Sequence, residues 1–128
     1  MTMNLNQVTL PALDIERSTA FYRDMGFTQI VSSPHYARFE CRDGDATFSI
    51  HKAESVSDTH VVVYFECDNL DAQVATLREK GFEFTRAPTD ESWLWREARL
   101  KDPSGNELCL FFAGENRKNP PWRIRAQP

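Results

Sequence analysis

The sequence has few of the residues that form metal clusters, disulfide frameworks or membrane spans. Its 128 residues include three cysteines and three histidines, and no two cysteines have the CxxC spacing of a zinc or redox motif. No apolar run approaches the length of about 20 residues that a membrane-spanning helix needs. The N-terminus lacks the basic start and apolar stretch of a secretory signal. We therefore expect a soluble, cytoplasmic protein without a membrane partner.

Positive charge is also scarce. The formal net charge is −4 and the sequence pI is about 5.3. A protein that neutralises phosphates needs a dense basic stripe. The one basic cluster lies in the proline-containing C-terminal tail, where we expect it to be solvated (Arg117, Lys118, Arg123 and Arg125). We therefore predict no nucleic-acid partner.

Glycine is limited to five residues, and two of them occupy equivalent places in an internal repeat. An apolar run leads to Asp14, a helical pattern follows, and it stops at Gly26. In the second half, Asp68 and Gly81 bracket a helical pattern in the same way. An aspartate accepts hydrogen bonds from the free amides of a first helical turn, and glycine adopts the left-handed conformation that ends a helix. The repeat therefore predicts two equivalent helices capped by Asp14 and Asp68.

Strand patterns complete each half as a βαβββ unit. Residues 53–59 are polar and predict a linker, and the tail from residue 114 carries Trp122, a candidate anchor onto the body or a second subunit. The single helix of such a unit leaves one face of its sheet uncovered, so two units must pair or a second subunit must cover that face. We predict an α+β fold and one domain over residues 1–128, with modules at about 5–52 and 60–113. The predicted strands cover residues 5–13, 27–33, 35–42, 46–52, 60–67, 82–87, 93–101 and 107–113.

Two segments resemble a known family. Residues 13–18, together with 21–22 and 26–27, resemble the opening of the vicinal oxygen chelate superfamily, and residues 102–108 resemble its hairpin before the last strand. That superfamily contains glyoxalase I, bleomycin-resistance proteins, fosfomycin-resistance enzymes and extradiol dioxygenases. The resemblance implies that two modules pair, either within one chain or between chains, and that their mixed sheets curl into a cup that holds the ligand. It also implies a homodimer. It does not select one activity, because one scaffold hosts many.

The resemblance also implies four positions at which the enzymes of the superfamily hold a divalent metal. In this sequence they are Gln7, Ser49, Val62 and Cys109. Valine cannot coordinate, and serine rarely does so without losing its proton. We therefore expect no metal at the usual site and favour no cofactor.

A displaced metal site is the alternative. His51 lies two residues beyond Ser49, His60 lies two before Val62, and Glu107 lies two before Cys109. Strand side chains alternate, so these residues share faces with the positions they flank. A divalent metal could then bind Gln7, His51, His60 and Glu107. Otherwise, we expect His60 and Glu107 to form a polar pair at the rim or on the surface.

Without a metal, shape and aromatic side chains would recognise the ligand. Trp93 and Trp95 are predicted to share a strand face, where they form a wall for a planar ligand, fill the core or lie beneath a dimer contact. We expect Arg96 and Arg99 either to contact an anionic ligand or to be solvated. We expect Cys109 to be a buried, inert thiol. The residues predicted to line the cup are Gln7, Thr9, Ser49, His51, Val62, Trp93, Trp95, Cys109 and Phe111.

Three functional hypotheses follow. The first is a protein that binds a small organic molecule in an aromatic cup without a metal. The second is a metal-dependent lyase or dioxygenase of the glyoxalase type that uses the displaced ligand set. The third is a structural or interaction module. Whether the protein is an enzyme stays open, since the sequence has no nucleophile elbow, phosphate-binding glycine loop or dinucleotide fingerprint.

Overall fold

The structure, a computed structural model, describes residues 5–57 and 61–124. Within these residues the order strand, helix and three strands occurs twice, which confirms the predicted tandem βαβββ modules. A short 3-10 helix, Gly114–Arg117, follows the second module. The elements are β1 (Gln7–Ala12), α1 (Ile15–Met25), β2 (Thr28–Ser33), β3 (Tyr36–Glu40), β4 (Thr47–Lys52), β5 (Val62–Glu66), α2 (Leu70–Glu79), β6 (Arg86–Asp90), β7 (Arg96–Lys101) and β8 (Glu107–Phe112).

Each module forms a four-stranded mixed sheet. The strand order is β1-β4-β3-β2 in the first sheet and β5-β8-β7-β6 in the second. In each sheet the first and last strands of the module pair in parallel. The chain falls into two compact units, residues 1–61 with 101–106 and residues 62–100 with 107–128. That the chain is a single domain stays a prediction.

Helix α1 of the first unit has both predicted caps. The carboxylate of Asp14 accepts a hydrogen bond from the Arg17 amide at 3.0 Å. At the other end, Gly26 has a φ of 114°, in the left-handed region. The amide of Phe27 then donates to the carbonyl of Tyr22. This bond closes the helix, as expected for a glycine stop.

The core of the first unit lies between α1 and one side of its sheet. Tyr22 is fully buried there, and its ring lies 5.0 Å from that of Phe48 and 5.6 Å from that of Phe39. Ile50 is also fully buried. Phe39, Phe48 and Ile50 therefore mark the side of the sheet that packs on α1. Strand side chains alternate, so their neighbours in sequence point to the other side.

The turn between β7 and β8 belongs to the first unit. The Asp102 carboxylate accepts hydrogen bonds from the backbone amides of Ser104 and Asn106, each at 2.9 Å. The Asn106 side chain donates to the Pro11 carbonyl, and the Leu13 amide donates to the Ser104 hydroxyl. The predicted turn is therefore an ordered structure that bonds to the end of β1.

The second unit repeats the helix-on-sheet arrangement. Helix α2 buries Leu70, Val74 and Leu77, and α2 contacts β6 and β8. On β7, Ala98 and Leu100 are buried. Arg96 bonds both carboxylate oxygens of Asp71, at 3.1 and 3.2 Å, and so ties β7 to α2. Of the helices in the described ranges, none has both the length and the apolar character needed to cross a membrane.

The predicted cap of α2 is wrong by one residue. The side chain of Asn69, not Asp68, accepts the amide hydrogen bond of Ala72, and the helix begins at Leu70. The end of α2 agrees with the prediction. Gly81 has a φ of 96°, and the Phe82 amide donates to the Leu77 carbonyl.

The predicted shared strand face of Trp93 and Trp95 is also wrong. Strand β7 begins at Arg96, and residues 91–95 form the connection from β6. The Glu91 amide donates to the Trp95 carbonyl, and the Leu94 amide donates to the Glu91 carbonyl. Leu94 lies in the left-handed region with a φ of 67°. Because the backbone turns between the two tryptophans, strand alternation does not apply to them.

Candidate functional site

The side of the first sheet that faces away from α1 carries polar residues. Thr9 of β1 pairs with Ser49 of β4, and Ser49 pairs with Arg38 of β3. Paired residues point to the same side of a sheet. These side chains therefore lie across three strands, opposite the core. We call this surface the polar face and define it by Gln7, Thr9, Tyr36, Arg38 and Ser49.

Hydrogen bonds join three predicted cup residues on the polar face. Ser49 is fully buried. The Gln7 side-chain amide donates to the Ser49 hydroxyl at 2.8 Å, and the hydroxyls of Thr9 and Ser49 lie 2.7 Å apart. The side-chain oxygen of Gln7 accepts from the Thr47 hydroxyl. The structure thus brings Gln7, Thr9 and Ser49 together, and both polar atoms of Gln7 already have partners.

Tyr36 and Arg38 of β3 lie beside this network on the same side of the sheet. Arg38 Nε donates to the Tyr36 hydroxyl at 2.9 Å, and the guanidinium carbon lies 5.4 Å from the centre of the Tyr36 ring. A hydrogen bond from Ser49, followed by a hydrogen bond and the positive charge from Arg38, lowers the pKa of Tyr36. Donors and positive charge both stabilise the phenolate. Neither residue was among the predicted site residues.

His51 lies farther along β4 from this network. It pairs with Pro11, four residues along β1 from Gln7, which corresponds to about 13 Å of strand. Its ring meets that of Tyr36 edge-on at 6.3 Å, and Nδ1 lies 3.0 Å from the Lys52 carbonyl. A carbonyl only accepts, so Nδ1 carries a proton in this bond. The structure does not bring Gln7 and His51 together as a ligand pair.

Aromatic residues gather on the second sheet, on the side facing away from α2. The rings of Trp95 and Phe111 are stacked with centres 4.6 Å apart. Tyr64 meets both rings edge-on, at 5.9 and 5.6 Å. Val62 and Trp95 pack against the buried residues Cys109 and Phe111. We call this surface the aromatic face and define it by Tyr64, Trp95, Glu97, Arg99 and Phe111.

An ion pair with a buried carboxylate and a partly exposed guanidinium borders these rings. Glu97 is only 2% exposed, and its carboxylate accepts from Arg99 at 3.1 Å and from the Trp93 indole at 2.7 Å. Arg99 also lies 3.9 Å from Glu107 and 3.4 Å from the Tyr64 hydroxyl. Both charges of the Glu97–Arg99 pair are therefore compensated, as burial requires. Trp93 is 42% exposed and positions Glu97 through its indole nitrogen.

The environment of Cys109 makes its thiol unreactive. Burial, with a contribution from Glu97 that the charge of Arg99 opposes, raises the pKa of Cys109 to about 12. The thiolate is the nucleophile, so a thiol that stays protonated near neutral pH is a poor one.

The four positions that the family resemblance assigns to a metal do not fit one. The side chains of Gln7 and Ser49 bond to each other, and the side chain of Val62 has no donor atom. Among residues 5–57 and 61–124, no group of three or more His, Cys, Asp or Glu is arranged to hold a metal ion. His60 lies outside the described residues, so the displaced set with His51, His60 and Glu107 stays a prediction.

Sequence reasoning missed two of the five residues that define each face. Tyr36 and Arg38 lie on β3, while Tyr64 and Glu97 lie on β5 and β7. Strand alternation alone could not find Arg38, because the register that pairs it with Ser49 is known only from the structure. Glu97 could not be found in this way either, because the predicted strand began at residue 93 and its first residues form a turn instead.

Comparisons with known proteins agree with this architecture. The sequence matches the family described as Glyoxalase/Bleomycin resistance protein/Dioxygenase superfamily over residues 4–110. A comparison with curated proteins finds no match.

Three solved structures show the same fold. A bleomycin-binding protein complexed with bleomycin superposes with a TM-score of 0.72 at 20% identity, covering 86% of this chain and 98% of its own. A lactoylglutathione lyase from Agrobacterium tumefaciens has a TM-score of 0.73 at 17% identity, covering 87% and 94%. A glyoxalase/bleomycin resistance protein/dioxygenase from Nocardioides has a TM-score of 0.77 at 23% identity, covering 98% and 91%.

Proposed function

We propose that this chain, which belongs to the Glyoxalase/Bleomycin resistance protein/Dioxygenase superfamily, binds a small organic ligand on its aromatic face. The proposed binding needs no metal at the family's usual positions. The observation that carries the proposal is the stacked pair of Trp95 and Phe111, with Tyr64 against the edges of both rings. Such a cluster offers planar apolar surface for a ligand with ring groups.

The cluster is held in place before any ligand arrives. The Trp95 indole nitrogen donates to the Asn116 carbonyl at 3.3 Å, and Phe111 is buried. Tyr64 is 44% exposed, so part of the cluster is accessible. Fixing side chains in advance reduces the entropy lost on binding. Arg99 and the Tyr64 hydroxyl add polar groups that would orient the ligand.

The comparisons support a ligand of this class. One protein of the same fold was solved with bleomycin, an organic molecule, bound to it. The donor set supports independence from a metal, because the side chain of Val62 offers no ligand atom and those of Gln7 and Ser49 already bond to each other.

Isothermal titration with bleomycin and with naphthoate, a small planar acid, tests the proposal. We expect saturable binding that persists in EDTA. We expect Trp95→Ala to weaken it about tenfold, because the variant removes the stacking surface. Trp122→Ala is the matched control, since Trp122 is 57% exposed and lies outside the cluster. Equal binding by Trp95→Ala and the wild type, or no saturable binding of either probe, would reject the proposal.

Metal analysis separates this proposal from the metal-dependent lyase or dioxygenase. Elemental analysis of the purified protein should find Ni²⁺, Zn²⁺, Mn²⁺ and Fe²⁺ well below one equivalent. Stoichiometric metal that falls in His51→Ala and Glu107→Ala, accompanied by turnover, would favour the enzyme instead.

We also propose a homodimer, which the family resemblance implies. Sedimentation velocity of the full chain measures this directly. A monomer at every protein concentration measured would contradict the dimer. It would not affect the ligand proposal, which the titration tests separately.

A further inference from the structure

We infer that Glu66 is a positioning residue for the aromatic face, and that it fixes the Trp95 indole through the short 3-10 helix Gly114–Arg117. The effect on Trp95 can be measured without a ligand. Its consequence for ligand binding rests on the proposed function.

Glu66 holds the chain where it leaves β8. It is the last residue of β5 and pairs with Phe111 of β8, so its side chain lies on the same side of the sheet as the aromatic rings. One carboxylate oxygen, Oε2, accepts hydrogen bonds from the amides of Ala113 and Gly114, each at 2.9 Å. One side chain therefore fixes the first two residues after the strand.

The 3-10 helix receives its cap from this distant residue. Ala113 precedes the helix and makes no side-chain capping bond, although the first amides of a helix need acceptors. The other carboxylate oxygen of Glu66, Oε1, lies 3.6 Å from Nε of Arg117, the last residue of the helix. Glu66 thus contacts both ends of the helix, and Asn116 lies between the two contacts.

Asn116 passes this constraint to Trp95. The Asn116 amide donates to the Ala113 carbonyl at 3.0 Å, and the Asn116 carbonyl accepts from the Trp95 indole nitrogen at 3.3 Å. Trp95 precedes β7, so strand pairing does not orient its side chain. Stacking on Phe111 alone allows a range of offsets, whereas a hydrogen bond is directional. The bond therefore sets which part of the indole is left for a ligand.

Trp93 provides an internal comparison. Its indole nitrogen donates to the Glu97 carboxylate at 2.7 Å, so its anchor lies on β7 and not on the 3-10 helix. Removal of the Glu66 carboxylate should therefore release the Trp95 indole and leave that of Trp93 in place.

Hydrogen exchange of the indole N–H groups, measured by nitrogen-15 NMR without ligand, tests the positioning. We expect Glu66→Ala to speed exchange at Trp95 by about threefold to tenfold, because the carbonyl that accepts its hydrogen bond is no longer fixed. Exchange at Trp93 should stay as in the wild type. Glu66→Gln keeps an oxygen for the two backbone amides and should restore most of the protection. Unchanged exchange at Trp95, or equal acceleration at both tryptophans, would overturn the inference.

Titration with naphthoate measures the consequence for binding. We expect Glu66→Ala to weaken binding about threefold, less than Trp95→Ala does, because the ring remains but is no longer held in advance. Glu83→Ala is the matched control, since Glu83 is an exposed glutamate between α2 and β6. In a Trp95→Phe background, which lacks the indole N–H, Glu66→Ala should cause no further loss. An equal loss in both backgrounds would show that Glu66 does not act through this bond and would reject its role.

Failure of this inference differs from failure of the proposed function. If the wild type binds neither naphthoate nor bleomycin, the ligand proposal fails, and exchange at Trp95 still decides the role of Glu66. If the wild type binds and Glu66→Ala binds equally well, the role of Glu66 is rejected and the ligand proposal stands.

Discussion

The hydroxyl of Tyr22 lies in the core of the first unit and donates to the Asp102 carboxylate at 2.6 Å. Burial, reinforced by the charge of Asp102, raises the pKa of Tyr22 well above its ordinary range. Asp102 also accepts from the backbone and side chain of Asn106. Sequence reasoning placed Tyr22 on a helix and Asp102 in a turn. It did not predict their contact, because the two residues are 80 positions apart.

We expect Tyr22→Phe to lower the free energy of unfolding by about 1.5–3 kcal/mol, the range for a buried hydrogen bond to a charged group. Urea denaturation measures the change. Tyr64→Phe serves as the control, because its exposed hydroxyl meets Arg99 at 3.4 Å and should contribute about 0.5 kcal/mol or less. Similar losses in both variants would mean that the bond to Asp102 is not what stabilises the core.

Both helices end in the same way, and this was predictable from the sequence. Gly26 and Gly81 have positive φ values, and the residue after each bonds back to a carbonyl five positions earlier. The spacing of the repeat also explains the misplaced cap. From Asp14 to Gly26 is twelve positions, and twelve positions before Gly81 is Asn69, the observed cap. A strict repeat predicts Asn69 as the cap, whereas residue type alone favours the acidic Asp68.

Alanine at Gly26 or Gly81 should lower the free energy of unfolding by about 1–2 kcal/mol, because a side chain disfavours the left-handed conformation. A Cβ atom at either position would meet nothing within 4 Å, so the cost comes from the backbone alone. Gly44→Ala is the matched control, since its position is equally open and has no positive φ. Thermal denaturation of the three variants checks this. A loss in Gly44→Ala as large as in the others would contradict the explanation.

The corrected cap leads to a paired prediction. Asn69→Ala should destabilise by about 0.5–2 kcal/mol, because the Ala72 amide loses its acceptor. Asp68→Ala should change the free energy of unfolding by no more than about 0.5 kcal/mol. Urea denaturation of both variants compares them, and the reverse order of effects would restore Asp68 as the cap.

At the scale of the whole molecule, several titratable groups favour their protonated forms. Burial, reinforced by the neighbouring carboxylates Asp68 and Glu66, raises the pKa of Cys67 from 9.0 to about 11. That of Cys109 rises to about 12, and that of Tyr22 is raised as well. These residues come from both units. Both units therefore contain groups whose titration affects stability at alkaline pH.

A raised pKa means that the unfolded chain loses its proton first as pH increases. The contribution of the thiols is therefore complete below about pH 9 and is lost between about pH 9 and 12. Each group can remove up to about 1.4 kcal/mol per pH unit in that window. Urea denaturation at several pH values should show this decline. The decline in the free energy of unfolding with pH should be less steep in Cys109→Ser than in Cys41→Ser. An unchanged slope in Cys109→Ser would exclude that thiol as a source of the decline.

The sequence by itself determined the tandem βαβββ order, the first helix cap and both glycine stops, because these depend on residues within a few positions of one another. Only the tertiary structure determined which side chains lie together on the polar face and on the aromatic face. It brought Gln7 to Ser49 and Arg38 to Tyr36, and it paired Glu97 with Arg99 beside the aromatic rings. These side-chain contacts depend on strand register and on the residue at which β7 begins. Both follow from pairing between distant segments, which no local pattern contains.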